Sequence, residues 1–209
     1  MQSAAVAELL EFDRQAILAG EIWRLWSGHL VHYSVQHALV DYVTALVAAA
    51  IVLPALGWRR LLLAPGMAAP LISAGLMLFA PDCLYYRGAS GIAVMLVMLA
   101  ALALWQRAGA GARAALLLLG AGLLLKISME AAGHVAGWSD LPDGVRVAWQ
   151  AHLLGAVTGL AIWHCSRHNR CVQRRIQDMH ANGFKNRTGC CGSIGDCGGR
   201  CGHIGGQAT

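Results

Sequence analysis

Ser90 stands in YRGASGIAVML, between Gly88 and Gly91, where a short polar loop passes into a long apolar run. His152 lies close to the start of another such run, VAWQAHLLGAVTGLAIW, and His37 and Asp41 open a third, GHLVHYSVQHALVDYV. A serine hydroxyl is a weak nucleophile at neutral pH and needs a base within hydrogen-bond reach. A neutral imidazole, with an unperturbed pKa of about 6.5, suits that role. Acyl transfer also needs donors for the developing oxyanion. Helix amino termini offer unpaired backbone N–H groups, Ser90 is expected at one, and His37 adds a side-chain donor from a neighbouring helix. Asp41 follows His37 one turn deeper on the same face. Gly155 and Gly159, at i+3 and i+7 from His152, give that helix a bare strip on the histidine's own face. Its backbone can then approach the helix bearing Ser90, Gly91 and Ala93.

The elements that must position these residues are membrane helices. Of 209 residues 57% are hydrophobic and 13% charged, and the mean hydropathy is +0.52, a composition an ordinary soluble domain would struggle to keep in solution. Apolar stretches long enough to approach or cross about 30 Å of hydrocarbon run over 38–56, 61–80, 89–105, 114–129 and 147–163, giving about five spans. The net charge of +5 is placed unevenly. Arg59 and Arg60, then Arg107 and Arg113, then the basic residues after the fifth stretch mark the cytoplasmic ends. The loops 81–88 and 131–146 then face outward, as do residues 1–37. No signal peptide precedes them, so a first span is expected to be absent from this sequence.

Alternating spans bring the polar residues to one depth. The first, third and fifth spans all run inward, so His37, Asp41, Ser90 and His152 lie in a single layer just below the outer boundary. Ionisable groups inside hydrocarbon are costly and by default functional.

With these pieces in order, the chain resembles the rhomboid family of intramembrane serine proteases. GHLVHYSVQHALVD is similar to the family's histidine-rich second helix, YRGASG carries the G-x-S-G nucleophile, and AHLLGAVTG is similar to its histidine-bearing last helix. The resemblance covers about residues 20–163 and, within the family, is nearest to the rhombosortases, which are held to process bacterial proteins carrying a carboxy-terminal Gly-Gly anchor segment. It implies an all-α, polytopic helical bundle, a six-helix core lacking its first helix. Ser90 would be the nucleophile, His152 the general base, His37 an oxyanion-hole contributor and His32 a structural histidine, with Gly88, Gly91, Gly155 and Gly159 serving the packing. No metal or organic cofactor is implied. The partners would be transmembrane protein substrates and the bilayer, with no nucleic acid, and the location a bacterial inner membrane with the active site toward the periplasm. The family usually has asparagine where this chain has Asp41. An ionised carboxylate would repel an oxyanion, so either Asp41 is neutral or the oxyanion site relies on His37 and backbone N–H groups.

The blander readings are assigned elsewhere. Lys126 and Glu130, at i and i+4, read as a structural ion pair. His29 and His32 read as interfacial histidines bonded to loop groups, and His134 falls in a loop outside any inward-running helix. Trp23, Trp26, Trp58, Trp105, Trp149 and Trp163 read as interfacial anchors. The domain reading is an outer lead-in over 1–28, a transmembrane domain over 29–165 and a solvated basic Gly/Cys-rich tail over 166–209. Cys190, Cys191, Cys197, Cys201 and His203 match no usual zinc spacing. Two other classes remain beside the protease: a non-catalytic scaffold holding transmembrane clients, favoured by the departure at Asp41, and a haem protein with His37 opposing His152.

Overall fold

The computed structural model describes residues 4–134 and 148–181, with side chains up to residue 168. The first compact unit, Met1–His164, holds the architecture below; of the second, Cys165–Thr209, the described part is the helix continuing to Ala181. The expected loop charges Asp140, Asp143 and Arg146 and the tail cysteines from Cys190 onward lie outside the described residues.

The fold is an all-α polytopic bundle, as expected, preceded by a folded lead-in. Short helices α1 (Ala4–Leu10), α2 (Arg14–Leu18) and α3 (Arg24–Ser27) lead to α4 (Val35–Leu56), α5 (Trp58–Phe79), α6 (Ser90–Trp105), α7 (Ala110–Ala131) and α8 (Trp149–Ala181). By length and composition α4, α5 and α7 are each able to cross a membrane. At 16 residues α6 is shorter, about 24 Å at 1.5 Å per residue. It can be short because protein surrounds it: Met95 and Leu99 are fully buried, with Ala93, Leu96, Ala100 and Ala103 beside them. In contrast α7 has one described buried residue, Ile127, and its leucines face outward.

The core stripes follow helical spacing. On α5 the buried set Ala64, Ala68, Ile72 and Leu76 repeats every four residues, and on α4 Ala48, Val52 and Leu56 do the same, with Asp41 at the head of that face. Ala48, Ala64 and Ala68 in these stripes allow the close helix approach that packing in a bilayer favours. Pro54, Pro65 and Pro70 sit inside helices, a placement membrane helices tolerate.

Two features beyond the sequence reading have physical causes. The lead-in packs into the fold: Phe12 is fully buried in the main core and Arg14 donates to the carbonyls of Leu76 (2.7 Å), Met77 (2.9 Å), Ala80 (2.6 Å) and Cys83 (3.2 Å). A guanidinium there gives further donors to carbonyls at the end of α5, of which Leu76 and Ala80 also accept backbone amides, and its charge complements the helix dipole. Trp163 is no interfacial anchor. Its helix continues to Ala181, so the indole lies within α8, 7% exposed and part of the core.

The lead-in also carries the molecule's one described ladder. Strand β1 (Phe12–Asp13) pairs antiparallel with β2 (Tyr85–Tyr86), Phe12 opposite Tyr86 and Asp13 opposite Tyr85. That ladder pins the segment leading to Ser90.

Candidate active site

Ser90 is the first residue of α6, after Ala89 in the N-cap position. The first turn's amides lack helical partners there, the Ala93 amide being the first to close a bond, to the Ala89 carbonyl at 2.8 Å. Loop 81–89 is held from several directions. Beyond the β1–β2 ladder, Arg87 donates through Nε to Glu11 Oε2 at 2.7 Å and lies over the Tyr33 ring, and the Gly88 amide donates to the Gly28 carbonyl at 3.1 Å.

Gly88 adopts φ +139°, a conformation costly for any side chain. A Cβ there would also fall 3.0 Å from His37 Cε1, 3.2 Å from its Nε2 and 3.4 Å from Asp41 Oδ2. The loop before Ser90 therefore rests directly on the His37 imidazole. His37 sits in the first turn of α4, whose N-cap Ser34 accepts its amide at 3.1 Å. His37 Nε2 lies 3.5 Å from Asp41 Oδ2.

His32 joins this group. Its Nε2 is 3.2 Å from Asp41 Oδ2 and 3.2 Å from the Ala89 amide nitrogen, and its ring stands edge-on to those of His37 and Tyr42. One ring nitrogen offers either a proton or a lone pair. His32 thus donates to Asp41 or accepts from Ala89, according to its tautomer.

The α6–α8 seam is backbone on backbone. A Cβ on Gly91 would lie 2.9 Å from the Ala151 carbonyl oxygen, one on Gly155 would fall on the Gly91 carbonyl, and one on Gly159 would lie 2.8 Å from the Met95 carbonyl. The residues beside Ser90 and His152 are therefore in contact across the two helix starts. His152 is buried, 5% exposed, and is close enough to His37 for their charges to interact. No hydrogen bond between Ser90 and His152 is among those of the described residues. The imidazole's bond runs the other way, from Nδ1 to Glu130 Oε2 at 2.7 Å.

Two participants escaped the sequence reading. Glu130 pairs with Lys126 as expected but also meets His152. Its position near the carboxy-terminal end of α7, one loop before the start of α8, was the available signal. Tyr86 is the other. Its buried hydroxyl faces the Ser90 hydroxyl and the Gly91 amide without a hydrogen bond of good geometry to either, and burial pushes the phenol well above its ordinary pKa, so it stays protonated. No sequence pattern singles out a tyrosine in a loop.

His29 is bonded to Ala69 and Ser73 and stands edge-on to Tyr86 with ring centroids 5.4 Å apart, and His134 is exposed after α7. The starts of α4, α6 and α8 and the end of α7 contribute to one polar cluster.

No curated protein shows a significant match to the chain. The family model of the rhomboid domain matches residues 19–168, well over half of its length and spanning every residue of the cluster. That family consists of multi-pass intramembrane serine proteases together with inactive members. By this match and by its polytopic helical fold, the chain belongs to the rhomboid family.

Proposed function

We propose that the protein is an intramembrane serine endopeptidase in which Ser90 is the nucleophile and His152 the general base. The observation that carries this reading is the glycine seam, which puts the first turns of α6 and α8 in backbone contact while Gly88 rests on His37. Ser90 Oγ attacks the scissile carbonyl as its proton passes to His152 Nε2. The oxyanion meets the free amides of the α6 first turn and the His37 side chain. The proton then goes to the leaving amine, and water hydrolyses the acyl-enzyme by the same base. Asp41, which contacts both His32 and His37, supports these rings. The structural glycines keep the seam closed.

The substrate is a transmembrane segment that unwinds near the outer interface, since a helical backbone hides its carbonyls from attack. Gly or Ala near the scissile bond serves that need, and a carboxy-terminal Gly-Gly anchor segment is the candidate class. Charge placement supports an inner-membrane protein with this cluster toward the periplasm. With that orientation an impermeant maleimide added outside labels Cys83 but not Cys165. Cys83 reacts slowly because burial pushes its thiol pKa up. Labelling of Cys165 alone from outside would reverse the orientation.

The deciding experiment is cleavage, in reconstituted bilayers, of a membrane-anchored reporter with a small-residue transmembrane segment. Ser90→Ala and His152→Ala are each expected to lower kcat by at least about 10³-fold, the scale seen for nucleophile and base losses. Binding of the reporter without cleavage by the wild-type chain would favour the scaffold class instead.

A further inference from the structure

The contact between Glu130 and His152 has no place in a two-residue mechanism. Both side chains are buried, 5% and 6% exposed, and they come from different helices 22 residues apart in sequence. The carboxylate uses both oxygens, Oε2 toward His152 Nδ1 and Oε1 toward the Lys126 ammonium, which is itself half exposed. A carboxylate acts as an acceptor at both contacts, so the proton of a neutral His152 belongs on Nδ1. That leaves the lone pair on Nε2. Among the described residues, the other titratable groups near the ring are His37, from α4, with Asp41 behind it; the Nδ1 contact is with Glu130.

We infer that Glu130 is the positioning residue of the general base: its carboxylate accepts the Nδ1 proton, fixes the tautomer and orientation of His152, and stabilises the imidazolium formed when Ser90 is deprotonated. This rests on the catalytic reading of Ser90 and His152. The proton moves only from Ser90 Oγ to His152 Nε2 and on to the leaving amine, and Glu130 is never protonated. Lys126 holds the carboxylate in register. A lone base in a cleft must select its own tautomer from two of similar energy. Here the partner selects it.

Glu130→Gln gives a test that a merely structural tie between α7 and α8 would not pass. Lys126 holds the amide oxygen, which turns the amide NH2 toward Nδ1 and forces the ring proton onto Nε2. In the full-length protein in lipid nanodiscs, with 15N-labelled histidine and the His152 signals assigned from His152→Ala, wild type is expected to show Nδ1 protonated and Nε2 bare. Glu130→Gln is expected to show the reverse, with kcat on the reporter lowered by about 10³–10⁴-fold and KM within about threefold. Adding Lys126→Met frees the amide to present its oxygen to Nδ1, so the double variant recovers at least about tenfold in kcat. A structural pair would instead be weakened further by losing its second member. Protonation at Nε2 in wild type, near-normal kcat in Glu130→Gln, or a double variant no better than the single would overturn the proposal. Undiminished cleavage by Ser90→Ala would remove the catalytic reading, and the tautomer would still decide the role of Glu130.

Discussion

His29 lies just before α4, 1% exposed, its Nε2 3.1 Å from both the Ala69 carbonyl and Ser73 Oγ, and its Nδ1 without a hydrogen bond of good geometry among the described residues. Burial lowers its pKa from 6.5 to about 4. In the folded protein the ring resists protonation, so as pH falls the unfolded chain takes up the proton first. The stability that follows is fully present above about pH 6.5 and is lost progressively as pH falls toward 4, on the order of 3 kcal/mol in all. We expect thermal unfolding in detergent to move to lower temperature between about pH 6.5 and 4, and His29→Gln to flatten part of that slope. An unchanged slope in the variant would assign the acid sensitivity to other groups. The effect reaches the site because the neighbouring Gly28 carbonyl accepts the Gly88 amide. Acid loosening at His29 and loss of order before Ser90 should therefore appear together.

At the scale of elements, the site depends on how closely α8 approaches α6. The Gly155 Cα faces the Gly91 carbonyl with no room for a methyl group, and the obstacle is backbone, which cannot rotate aside. Gly155→Ala must push the two helix starts apart. A displacement of about 1 Å between reacting groups can cost about 10²-fold in rate, and that is the loss expected in kcat, with expression and helix content near normal. Gly120→Ala, on α7 with open space around its Cα, is the control and should change nothing. Equal activity in the two variants would mean that the seam is only packing. The sheet ladder, Arg14 on the end of α5 and the Glu11–Arg87 pair act alongside the seam, tying the lead-in to the segment before Ser90.

For the molecule as a whole, the outward surface is what a bilayer demands. Leu117, Leu118, Leu119, Leu124 and Leu125 of α7 are 63–74% exposed, a wasteful arrangement in water and a natural one against lipid. A charge at the centre of a membrane helix costs about 2.5–3.5 kcal/mol on insertion scales. Leu119→Asp is therefore expected to lower the membrane-integrated fraction severalfold, read by resistance to alkaline extraction, whereas Leu119→Phe leaves it unchanged. If Leu119→Asp inserts normally, α7 faces protein or a water-filled cavity rather than lipid. The same exposure explains why the Glu130 contact matters beyond the ring it touches. Ile127 and the Glu130 side chain are the described buried groups in the last turns of α7, and the Glu130 contact joins that end of the helix to His152.

Much of this protein was legible from residue type and order alone, because the bilayer imposes rules that act on sequence directly. A run of apolar residues must be a helix when no water is present to satisfy its backbone, and alternating spans fix which residues share a depth. Those rules led to the expectation that Ser90, His152, His37 and Asp41 share a depth, and they pointed to the small-residue strip at Gly155 and Gly159, which packs against α6. Contacts that depend on rotation about a helix axis, or on loops outside hydrocarbon, were beyond them. Glu130 reads equally well as the partner of Lys126, four residues away, whatever lies across the bundle; only the packing of α7 against the start of α8 brings it to His152 Nδ1. The packing of the lead-in was likewise beyond those rules, because pairing of Phe12 with Tyr86 and the bonds from Arg14 to the end of α5 involve partners more than 60 residues away, where periodicity carries no information. Local physics determined the elements, because apolar runs in a bilayer must satisfy their own backbone, and tertiary structure decided which face of each element meets the others.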